Sequence, residues 1–170
     1  SAYDTVGGHE AIRSSVVDDV SLGRAVKHHE GGERLSFVLL HSIGLMKVRM
    51  YGSLREIWDG FSKNFYSGAQ ERLGWMTVGA SFVLLTSVLP FVCLPLLWWS
   101  SGPQAAAPAA LAVAGVLGYR HCTLGLIPAP GWSVLLHPIA AAITVAIMTN
   151  STLAGLGLKR PTRWKGRPVN

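Results

Sequence analysis

The polar and apolar positions of this 170-residue chain divide it into two contrasting stretches. Residues 1–74 mix charge with short apolar runs, whereas residues 75–158 are almost continuously apolar. In the first stretch a short helix is expected around 9–15, after Gly7-Gly8. A longer one is expected over 18–29, where Val20, Ala25 and Val26 alternate with charged positions. The segment "RLSFVLLHSIGLMKVRMY" (34–51) holds two apolar runs separated by Ser42-Ile43-Gly44, and its β-branched and aromatic content predicts two short strands. In "SLREIWDGFSKNFY" (53–66), Ser53 and Glu56 form a capping-box signature. Leu54, Ile57, Trp58, Phe61 and Phe65 then recur on one helical face, opposite Arg55, Glu56, Asp59, Ser62 and Lys63. A face bearing Trp and Phe just ahead of a membrane-length run predicts a helix lying in the bilayer interface; the competing reading is a helix packed into a core.

In the second stretch, residues 75–99 carry no charge and, as a helix, would extend roughly 37 Å, enough for the hydrocarbon core with some tilt. Trp75 at one end and Trp98-Trp99 at the other match an aromatic belt, and Pro90 and Pro95 should kink the span. Residues 103–119 are small and apolar and predict a second crossing. Residues 132–152 predict a third, in sequence that stays uncharged to Leu158. The Ala- and Gly-rich faces of these two would let helices approach closely. The expected organisation is therefore 1–52 as a water-facing domain, 53–74 as interface helix and linker, 75–158 as a transmembrane region, and 159–170 as a basic tail.

Charge sharpens this division. All nine carboxylate side chains, Asp4 to Glu71, fall in residues 1–74, where nine Lys and Arg balance them. The remainder carries only Arg120, Lys159, Arg160, Arg163, Lys165 and Arg167, so the whole net charge of +6 belongs to it. These cations flank apolar runs and form no stripe interleaved with aromatics, which argues against nucleic acid and for anionic membrane lipids as the partner. The tail should lie on the cytoplasmic side. If residues 1–74 are cytoplasmic too, the number of crossings must be even, which conflicts with a count of three. Cys93 and Cys122 have no metal-ligand spacing and are expected to be free thiols. No signal peptide is visible at the polar start.

Asp18-Asp19 in "VVDDVSLGRAVK" heads the candidate chemistry. A carboxylate pair at a helix start serves as a cap and complements the helix dipole, and it could equally hold a base. The stretches "AYDTVGGHEAIRSSVVDDVSLGRAVKHHE" and "VRMYGSLREIWDGFSKNFYSG" resemble the C-terminal half of family 2 glycosyltransferases, most closely the membrane-bound subgroup with lipid-like acceptors, including carotenoid- and hopanoid-associated enzymes. The tail "TRWKGRPV" is similar to that subgroup's ending. The resemblance implies a mainly α membrane protein: a truncated α/β C-terminal segment of GT-A type, an amphipathic interface helix, then about three transmembrane helices. It implies an integral protein of the bacterial plasma membrane that uses a nucleotide sugar and a lipid-like hydroxyl or carboxyl acceptor.

On this resemblance Gly7-Gly8-His9 matches the family's Gly-Gly loop near the acceptor. Asp18-Asp19 with Leu22 matches its acidic pair, Asp standing for the usual Glu. Asp19 would then be the general base, with Asp18 tuning it or binding acceptor hydroxyls. Inverting transfer needs one carboxylate to take the proton from the attacking hydroxyl, whereas glycoside hydrolysis needs two carboxyl groups. A diphosphate leaving group needs a divalent cation, Mg or Mn, whose ligands are expected mostly outside this chain, since no Asp-x-Asp occurs in it. The chain thus corresponds to the acceptor-side and membrane half, inactive alone.

The sequence departs from the family at the interfacial helix. Where many members carry Gln/Arg-x-x-Arg-Trp, this chain has "WDGFSKN". Lys63-Asn64 could meet donor phosphates as a point charge without Arg's fork, Trp58 could stack on the acceptor or anchor in the membrane, and Arg49 is a further phosphate candidate. His28-His29-Glu30 is read as surface rather than metal site, and His137-Pro138 as a helix start. The rival to a transferase is a non-enzymatic membrane scaffold or accessory subunit; a transporter fragment is disfavoured because the spans lack paired charges.

Overall fold

The structure, a computed structural model, describes residues 1–15, 17–29, 38, 48–124, 126, 129–159, 162–164 and 167–169. It divides into two units, Ser1–Glu71 with Leu153–Asn170, and Arg72–Thr152.

The first unit opens with two single-turn helices, α1 (Ala2–Thr5) and α2 (Gly8–Ala11). Ser1 and Asp4 form a reciprocal capping box on α1. The corner between the helices needs left-handed backbone, which Gly7 (φ +77°) and Gly8 (φ +56°) supply. Gly8 is buried under the Tyr3 ring, where a side chain could not fit: its Cβ would lie 2.7 Å from the ring. Helix α3 (Asp18–Lys27) places Asp18 and Asp19 in its first turn and Arg24 and Lys27 in its last, the order that suits its dipole, and buries Val26.

Helix α4 (Leu54–Gly68) starts where the sequence sets its cap. The Ser53 hydroxyl accepts from the Glu56 N–H at 3.2 Å, and the Glu56 carboxylate accepts from the Gly52 N–H at 2.7 Å. Its faces differ from expectation. Ser62, expected on the solvent side, is buried, while Leu54 and Phe61 of the expected apolar face are exposed. Helical spacing identifies two faces but does not decide which of them meets protein. At the other end of the unit, two three-residue strands, β1 (Thr162–Trp164) and β2 (Arg167–Val169), pair antiparallel, with Arg163 opposite Pro168. Strand β1 lies against α4, and the Tyr66 ring of α4 sits directly over Gly155.

The strands expected within 34–51 fall mainly outside the described residues, and 48–51, which are described, have no regular structure. Among the described residues the first unit shows no α/β layer. It is helical apart from β1 and β2, which the sequence did not suggest.

The second unit is built from apolar helices: α5 (Leu73–Val83), a π-helical segment (Leu84–Val88), α6 (Leu89–Ser101), α7 (Pro103–Thr123), a 3₁₀ turn (Gly131–Leu136) and α8 (His137–Gly155), whose last turn enters the first unit. The π segment has a local cause. Pro90 has no N–H to donate to Thr86, and its ring would crowd that carbonyl, so the turn before it widens. Thr86 donates its hydroxyl to the Phe82 carbonyl at 2.7 Å, satisfying an acceptor in the loosened turn. Gly102 (φ +85°) closes α6 and α7 into a hairpin. The core consists of small or flexible residues, including Met76, Ala106, Ala109, Ala141, Ile147 and Met148. Met148 packs so closely on Gly79 that a Cβ there would lie 3.1 Å from its methyl group.

Two helical stretches, Leu73–Ser101 and Gly131–Gly155, are long and apolar enough to cross a membrane. None of the most apolar part of the first is buried, and only 22% of the second, so neither is the enclosed core helix of a water-soluble fold. Trp75, Phe82, Leu96, Trp99, Leu111 and Leu135 all stand exposed. Helix α7, expected as a further crossing, is helical throughout but is not among the helices of that length and apolarity.

Candidate functional site

The first unit contains a cavity of 460 Å³ lined by Val17, Asp18 and Asp19 at the start of α3, by Val48, Arg49, Met50 and Tyr51 ahead of α4, and by Lys63 and Asn64 on α4. Five residues singled out from the sequence, Asp18, Asp19, Arg49, Lys63 and Asn64, therefore share one space. Nothing in their linear spacing requires this, since more than forty positions separate the acids from Lys63.

Each acid is held by its own helix start. Val17, not an aspartate, occupies the N-cap position and makes no side-chain cap. The Asp18 carboxylate accepts from the Asp19 N–H at 3.0 Å and that of Asp19 from the Val20 N–H at 2.8 Å. One oxygen of each carboxylate is thus tied to the backbone. Both side chains remain exposed, and among the described residues neither forms an ion pair. A carboxylate fixed by one oxygen and open at the other is suited to accept a proton or a hydroxyl hydrogen bond.

The opposite wall carries charge of the other sign and an unused acceptor. Lys63 and Asn64 are half-buried, and the Oδ1 of Asn64 is buried without a hydrogen-bond partner among the described residues. An amide oxygen left in that state favours a ligand that brings a hydroxyl or amine donor. Tyr51 was not anticipated from the sequence. Its ring packs 5.8 Å from that of Phe61 and against Gly60, which fixes the cavity's edge to α4. Its position two residues after Arg49, just before the Ser53 cap, is the signal that would have pointed to it.

The other expected acceptor residues do not line this cavity. Gly7 and Gly8 form the α1–α2 corner. His9 is engaged by Tyr3, whose hydroxyl lies 2.7 Å from His9 Nδ1 and accepts from the His9 N–H at 3.1 Å. Trp58 is half-buried on α4. The group His28-His29-Glu30 is only partly described; His28 caps the end of α3 and is exposed. Cys93 and Cys122 are free thiols, and His137 does begin a helix.

Among the described residues no three His, Cys, Asp or Glu side chains come together as metal ligands. Asp18 and Asp19 face two cations and an amide instead of further carboxylates, a donor set that does not fit a divalent cation. Comparison of the chain with protein-family models, with curated proteins and with solved structures returns no match.

Proposed function

We propose that this chain is the acceptor-side and membrane portion of an inverting glycosyltransferase of family 2, moving a sugar from a nucleotide donor to a lipid-like acceptor at the cytoplasmic face of a membrane. The observation that carries the reading is the cavity that joins the acidic pair of α3 to Lys63 and Asn64 of α4. Asp19 takes the proton from the acceptor hydroxyl as its oxygen bonds to the anomeric carbon and the bond from that carbon to the nucleotide diphosphate breaks. Asp18 and Asn64 hold the acceptor's polar head, while Arg49 and Lys63 offset negative charge on the departing side.

The setting supports a greasy substrate. Leu54 and Phe61 are exposed on the helix whose other residues line the cavity, and the apolar helices Leu73–Ser101 and Gly131–Gly155 would give the acceptor's chain a berth in the bilayer. The contact of β1 with α4 in one compact unit supports a topology with both ends of the membrane region on one side. An arrangement of two crossings, Leu73–Ser101 and Gly131–Gly155, fits that reading.

The test is Asp19→Asn in the protein that carries this chain together with a donor-binding segment, assayed for transfer of labelled sugar from nucleotide sugars to membrane lipids. The expected outcome is a loss of about 100- to 10,000-fold in turnover with insertion into the membrane unchanged. Transfer at the parental rate would remove Asp19 as base. Absence of any transfer in the parent across donors would favour a scaffold.

A further inference from the structure

The second unit holds a group of polar atoms that its own sequence cannot satisfy. Among the described residues, the Nε of Arg120, in the last turn of α7, is buried without a hydrogen-bond partner, and so are the Oγ of Ser133 and the Nε2 of His137. The three lie on elements that pack together: α7, which carries Arg120, contacts the 131–136 turn, which carries Ser133, and His137 directly follows that turn. The Phe91 ring closes one side, 6.3 Å from that of His137.

Among the described residues Arg120 forms no ion pair. No Asp or Glu follows Glu71 anywhere in the sequence, so the apolar region contains no carboxylate side chain to neutralise it. A guanidinium cannot deprotonate, and an unpaired cation among apolar helices is costly. Arginine offers only donors, whereas a serine hydroxyl and a histidine ring nitrogen can each donate. What answers all three is an anion rich in acceptor oxygens.

We propose that Arg120, Ser133 and His137 form a binding site for a phosphate group. A phosphate presents several acceptor oxygens to such donors and supplies a negative charge. The two sources of that chemistry are the headgroup of an anionic phospholipid and free phosphate. The site is separate from the acidic cavity of the first unit and does not depend on the reading of that cavity.

The experiment uses the full chain purified in detergent, with bound dioleoylphosphatidylglycerol counted by native mass spectrometry. Dioleoylphosphatidylcholine and inorganic phosphate serve as competitors. The expected result is one tightly retained phosphatidylglycerol per chain, with retention falling about tenfold or more in Arg120→Gln and His137→Gln and unchanged in Lys159→Gln. Ser133→Ala, which removes a single hydroxyl, provides the same readout, a smaller loss, should Arg120→Gln fail to fold. Displacement by millimolar inorganic phosphate would assign the site to the free ion, and resistance to it would assign the site to the lipid headgroup. Retention equal to that of the parent in folded Arg120→Gln and His137→Gln, or an equal loss in Lys159→Gln, would overturn the proposal.

Discussion

At Gly60 the Tyr51 ring occupies the space a side chain would need: a Cβ there would lie 2.5 Å from the Tyr51 hydroxyl oxygen and 2.6 Å from the ring. Gly60→Ala should therefore cost about 1–3 kcal/mol, because the ring must move out of a packed contact. Gly68→Ala, at the end of the same helix with nothing within 4 Å of the added carbon, should be neutral or slightly stabilising. Thermal unfolding of the detergent-solubilised chain, followed by circular dichroism, separates the two; equal midpoints would mean that Tyr51 is not held where described. At this scale the sequence was informative about identity and silent about company. Asp18 and Asp19 stand out because carboxylates at a helix start have a physical reason to be there. Their meeting with Arg49 and Lys63 joins residues some thirty to forty-five positions apart, which no local pattern encodes. Gly7-Gly8 was legible as a loop ahead of a short helix, but the capture of His9 by Tyr3, six residues earlier and across left-handed backbone, was not.

Among the elements, α4 is the one on which the cavity depends most, and its start rests on two side chains. Ser53→Ala removes the acceptor for the Glu56 N–H and should lower stability by about 1 kcal/mol, while Ser53→Asp should restore it. Urea unfolding of the chain in micelles measures both, and an unchanged midpoint in the alanine variant would show that the cap contributes nothing. The boundaries of α4, α3, and the long spans were legible within a few residues because caps, period and apolar length act locally: 53–66 became Leu54–Gly68, and 75–99 became Leu73–Ser101. The π segment was not foreseen, though its cause, Pro90, was. Sequence identifies where the hydrogen-bond ladder must break but not whether the helix kinks or widens. Helix α7 misled for a different reason. Alanine and glycine are apolar enough to suggest a span and small enough to serve instead as packing surface, as buried Ala106 and Ala109 do.

For the whole molecule the decisive question is which ends share a side of the membrane. The tail carries five of the seven Lys and Arg that follow the last carboxylate, and the positive-inside tendency alone would place it in the cytoplasm. That rule leaves residues 1–71 unassigned, whereas the pairing of β1 with α4 binds their location to that of the tail. With Cys93 and Cys122 replaced by serine, single cysteines at Lys27 and Leu158, both exposed, should react with a membrane-impermeant maleimide from the same face. A cysteine at Gln104, beyond the end of Leu73–Ser101, should react only from the opposite face. Labelling of positions 27 and 158 from opposite faces would require an odd number of crossings, and the acidic cavity and the basic tail could then not belong to one compact unit. Labelling of all three from one face would mean that Leu73–Ser101 does not cross the bilayer, and the membrane part of the proposed function would fall.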